Sequence, residues 1–150
     1  ERIVIYMVEH DTVKLLRECD AGIKMGVSSI NDVLGYVHNE KLRQYLEESR
    51  SEHEDIRTDL EKLLVSYHDD GKEPNTMAKS MSWLKTNIKL TVNESDDVVA
   101  DLITEGCNMG VKSLYKYLNK YQAADEKSKD ITKRIIGVEE KLTANMRAYL

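Results

Sequence analysis

A chain of 150 residues can bury one sizeable core, and 41% hydrophobic with 33% charged side chains describes a soluble globular domain. A net charge of −5 argues against a nucleic-acid partner, which would want a clustered positive surface. No apolar run approaches the ~18 residues of a membrane span, and two Cys without a paired spacing fit a reducing cytoplasm better than a disulfide scaffold.

Residues 1–10 are ambiguous. Ile3-Val4-Ile5-Tyr6-Met7-Val8 has strand-like composition, yet Ile5, Val8 and Thr12 continue the stripe of the helix that follows, and a helical extension is the reading taken. The run is too short, and lacks a cleavage pattern after it, for a signal peptide. Residues 11–38 read as the first long helix, capped by Asp11 or Thr12, with Leu16, Cys19, Ile23, Val27, Ile30, Leu34 and Val37 on one face. His38-Asn39 breaks the chain and Asn39 caps the second helix. That helix covers roughly 40–67, with Leu42, Leu46, Ser49, His53, Ile56, Leu60 and Leu63 inward and a charged face outward.

Asp69–Asn75 is the clear loop. Gly71 can terminate a helix, and Pro74 stops it from resuming. A shorter amphipathic segment follows, with Met77, Met81, Leu84 and Ile88 on one side and Lys79, Lys85 and Lys89 around it. Its stripe runs almost in phase into a third helix over about 94–122, so the two could form one rod. The third helix carries Val98, Leu102, Gly106, Met109, Ser113, Leu114, Leu118 and Tyr121. Ala123-Ala124-Asp125 turns the chain into a fourth helix, 126–149, with Ile131, Ile135, Val138, Leu142, Met146 and Tyr149 inward.

The chain also repeats itself. Gly22–Leu34 returns as Gly106–Leu118, with six of thirteen positions identical, both glycines among them. Gly costs up to about 1 kcal/mol relative to Ala inside a helix, so the pairs Gly22/Gly26 and Gly106/Gly110 need an offsetting gain. The expectation is that the two glycine faces meet and let backbones approach. Removal of bulk beside a ligand is the alternative. Aligning Leu42, Ile56 and Leu60 with Ser128, Leu142 and Met146 places His53 opposite Glu139 by the same internal symmetry.

Two short-loop hairpins, 11–67 and 94–149, are therefore joined by a long crossover, 68–93, in a single domain over 1–150. Paired hairpins with such a crossover resemble the ferritin-like superfamily. The run Lys41–Leu46 through Ser51-Glu52-His53-Glu54-Asp55-Ile56 is similar to the second helix of small bacterial four-helix-bundle proteins of unknown function in that superfamily. The resemblance implies an all-α, ferritin-like four-helix bundle with a short extra helix in the crossover.

A di-metal site in that fold needs a Glu from each of two helices and Glu-x-x-His from each of the others, because bridging carboxylates and imidazoles must converge from four directions. Here Arg50 stands three residues before His53, the fourth helix has Glu139 and Glu140 but no His, and Glu105 is matched in the repeat by Ala21. The expected role is non-enzymatic, structural or interacting, with no catalytic residues and no cofactor. The competing reading is a metal-dependent oxidoreductase or metal-storage protein using His53 with Glu52, Glu105 and Glu139. His53 is otherwise a core histidine held by a hydrogen bond. Cys19 and Cys107 read as small buried hydrophobes, and the methionines Met25, Met77, Met81, Met109 and Met146 as core. The surplus apolar residues of 1–8 are expected to dock on a second copy, making a homo-oligomer, or on the crossover helix. No membrane partner is expected.

Overall fold

A computed structural model describes residues 1–74 and 95–150. Four long helices account for most of them: α1 (Arg2–Leu34), α2 (Glu40–Ser66), α3 (Asp96–Lys120) and α4 (Glu126–Met146), followed by a 3-10 turn at Arg147–Tyr149. The expected crossover helix, with Met77 and Met81, lies outside the described residues. No strand is present among the described residues, and none of their helices is long and apolar enough to cross a membrane. The ambiguous first ten residues are helical and extend α1. The third helix begins at Asp96, with Ser95 extended at its start (φ −116°, ψ 156°), and the segment expected to run into it lies outside the described residues.

Each helix packs its apolar stripe on its neighbours, α1 on α2, α3 on α4, α2 on α4 and α1 on α3. At one end, Asp96 in the first turn of α3 accepts the backbone N–H groups of His38 and Asn39 at 2.8 and 3.0 Å. Asn39 in turn caps α2, accepting from Lys41 and Leu42. The other end is built the same way. Asp11 and Thr12 accept from the backbone N–H groups of Ala123 and Asp125 at 3.0 and 2.8 Å, and Asp125 caps α4 through Ser128. Asp11 and Thr12 therefore do not cap α1 as expected. That helix starts nine residues earlier, so their own backbones are already paired and their side chains are free to hold the α3–α4 turn.

Gly71 does not end α2 either. The helix stops at Ser66 and closes in a Schellman arrangement: the N–H of His68 bonds to Val65 O and that of Asp69 to Leu64 O, with His68 left-handed at φ 55°. Gly71 (φ 85°) serves the loop instead. That loop is fastened to α1. Arg17 donates to Asp69 and to Gly71 O, while buried Asp20 accepts from the Lys72 N–H and pairs with Lys24 at 2.8 Å. A Cβ on Gly71 would collide with the Asp20 carboxylate.

The α3 face is rotated from the expected one. Val99, Leu102, Ile103, Cys107 and Leu114 point inward, while Met109 is 66% exposed and Gly106 and Ser113 face outward. Met109 is not a core methionine; Met146 is.

Two substitutions test the loop account by urea denaturation. His68→Gly removes a left-handed Cβ penalty and is expected to stabilise by roughly 0.5–1 kcal/mol. Gly71→Ala is expected to destabilise by about 1 kcal/mol or more, because both its φ and the Asp20 carboxylate oppose a side chain.

Candidate functional site

The core divides into two apolar clusters along the bundle axis. One holds Ile30, Leu46, Ile103 and Leu142; the other holds Ile23, Ile56, Leu114 and Ile135. Between them each helix contributes one residue that is polar or lacks a side chain: Gly26 on α1, His53 on α2, Gly110 on α3 and Glu139 on α4. His53 and Glu139 are 1% and 7% exposed, so both polar side chains are buried.

His53 does face Glu139, as the internal symmetry predicts, with Nε2 4.0 Å from Oε1. Its hydrogen bond goes elsewhere. Nδ1 lies 2.7 Å from the Ser49 carbonyl oxygen one helical turn back. A carbonyl only accepts, so Nδ1 carries a proton and the ring orientation is fixed. His53 Nε2 and Glu139 Oε2 have no hydrogen-bond partner among the described residues. Without a proton between them, the imidazole lone pair and the carboxylate are two acceptors facing each other in an apolar seam, which is costly. One proton on either group makes them complementary. Burial holds the Glu139 carboxyl above the usual carboxylate range, and the neighbouring His53 opposes that shift.

The glycines provide the room. A Cβ on Gly26 would lie 2.8 Å from His53 Nε2 and 3.0 Å from Cδ2; one on Gly110 would lie 2.5 Å from Glu139 Oε2. The expectation that the two glycine faces meet is therefore corrected. Gly26 and Gly110 confront side chains, and Gly22 and Gly106 have nothing within 4 Å among the described residues.

The other candidate ligands are not gathered here. Glu52 is turned to the surface, where it pairs with Lys141 at 2.8 Å, and Glu105 is exposed on α3. Among the described residues no three His, Cys, Asp or Glu side chains are grouped as a metal ion would need. The cysteines are free and buried in different clusters. Burial pushes both thiols up to about 12, aided at Cys107 by Glu139; the Cys19 thiol also meets Thr132 Oγ1 at 3.2 Å. Neither is a nucleophile at neutral pH. His10, His38 and His68 are exposed. The sequence reading missed the role of Ser49, which an inward serine four residues before an inward histidine could have signalled.

No family model matches this chain, and no curated protein or solved structure matches it either.

Two predictions follow from the layer's geometry. Gly26→Ala is expected to destabilise by about 1–3 kcal/mol, because the imidazole is locked to Ser49 and cannot retreat. Gly22→Ala and Gly106→Ala are expected to gain up to about 1 kcal/mol of helix propensity, and Gly110→Ala to fall between, since the carboxylate is the far end of a longer side chain. Thermal midpoints of the four variants check this order.

The second concerns pH. A carboxyl whose folded pKa is raised favours the fold fully below its unfolded value, about 4.3, and loses that contribution as pH rises through the folded value. Glu139→Gln removes the ionisation. Its stability relative to the parent is therefore expected to increase as pH rises, then level off. Urea midpoints from about pH 4 to about pH 8 test this, and a difference independent of pH would contradict it.

Proposed function

We propose that the protein is a non-enzymatic structural or interaction protein built as a ferritin-like bundle, two antiparallel hairpins joined by a long crossover. The directions of the helices support the fold. The start of α3 lies at the end of α1, and the start of α4 near the start of α1, so α1 runs antiparallel to α3 and α2 antiparallel to α4. The observation that carries the functional reading is the content of the central layer. A di-metal site would need a carboxylate from each of two helices at this level. Here α1 and α3 present Gly26 and Gly110, and the cleared volume is taken by one imidazole and one carboxylate.

The competing reading, a metal-dependent oxidoreductase or storage protein, draws support from the unpartnered Nε2 of His53 and Oε2 of Glu139. It would have to recruit Glu52 away from Lys141 and Glu105 from the surface. Elemental analysis of protein from iron- and manganese-supplemented cells separates the two. The expected result is well under one equivalent of Fe, Mn or Zn, with a thermal midpoint unchanged by chelator. Stoichiometric metal that disappears in His53→Ala would favour the competing reading.

A further inference from the structure

The first turns of α1 run past the other described helices. The α3–α4 turn meets α1 at Asp11 and Thr12, so residues 2–8 project by about 10 Å at 1.5 Å per residue. Ile3 (74%), Val4 (61%), Ile5 (62%), Tyr6 (70%) and Met7 (51%) are exposed, and together they surround the helix rather than forming one stripe. Such a helix is ordinarily enclosed. It also has little to hold it by itself. Ile3, Val4, Ile5 and Val8 are β-branched, which lowers their helix propensity.

We infer that residues 2–9 are the interface with a second copy of this chain, the two extensions pairing antiparallel about a two-fold axis between Ile5 and Tyr6. The segment is self-complementary in that register. Arg2 falls opposite the second copy's Glu9, and Glu1 opposite its His10, with only apolar residues between. A parallel pairing would set Arg2 against Arg2 and Glu9 against Glu9, so charge selects the antiparallel one. The tips then reach the second copy's bundle end beside Tyr67 and the 121–125 turn, which covers faces the paired helix leaves open.

This names a partner for the interaction role proposed above and rests on that reading, but its test is independent of metal content. Sedimentation of the full chain over a wide concentration range is expected to show a monomer–dimer equilibrium. Ile5→Glu is expected to weaken it at least tenfold while the circular dichroism thermal transition of the bundle is retained. Arg2→Glu sets like charges opposite each other and is expected to weaken it several-fold, and Arg2→Glu with Glu9→Arg to restore it. A monomer at every concentration, a dimer indifferent to Ile5→Glu, or a charge swap that fails to rescue would each overturn the inference. A monomeric, metal-free protein would leave the interaction role standing with a different partner.

Discussion

Two hydrogen-bond acceptors buried face to face in a helical bundle are tolerable only if a proton lies between them and if nothing crowds them. Every other feature of the central layer serves one of those conditions. The Ser49 carbonyl fixes the ring of His53 by accepting a hydrogen bond from its Nδ1–H, which leaves Nε2 as the atom that confronts Glu139. Gly26 and Gly110 then vacate the space on the two helices that face the pair. Each inward glycine gives up as much as about 1 kcal/mol of helix propensity. The loss is offset because any Cβ there would displace a polar group that has no other place to go in an apolar core.

That geometry is only as good as the register of the four helices, and the register is set at the ends. Asp96 of α3 ties down the α1–α2 turn, while Asp11 and Thr12 of α1 tie down the α3–α4 turn. Each hairpin thus holds the other's turn. Sliding α1 against α3 by one turn would break contacts at both ends at once and leave backbone N–H groups unpaired. The loop after α2 adds a third anchor through Arg17 and Asp20 on α1. Apolar burial in the two clusters drives the helices together, but it is non-directional. The polar ties select the register in which His53 meets Glu139.

Periodicity alone located the four helices to within a few residues at most ends, because long amphipathic segments carry their pattern over many turns. The His53–Glu139 encounter was also legible, since two symmetric hairpins must place equivalent positions of their second helices across the axis. What could not be read was rotation about each helix axis. Gly22 and Gly26 share a face in a helical projection, yet only Gly26 looks into the layer. Met109 matches Met25 in the repeat and is nevertheless exposed. Caps were ambiguous for a related reason. Asp11 and Thr12 look like the start of a helix, and only the extension of α1 through residues 2–10 frees them to act on another turn. His68 as a left-handed helix terminator ran against the local preference for Gly71, three residues on.

The central claim is that Gly26 exists to admit the imidazole of His53. A double-mutant cycle tests it most directly, with stability measured by urea denaturation at fixed pH. In the parent background Gly26→Ala should destabilise. In a His53→Ala background the obstruction is gone, so the same substitution should become neutral or stabilising by up to about 1 kcal/mol. A reversal or loss of the Gly26→Ala penalty is the predicted result; an equal penalty in both backgrounds would contradict the account.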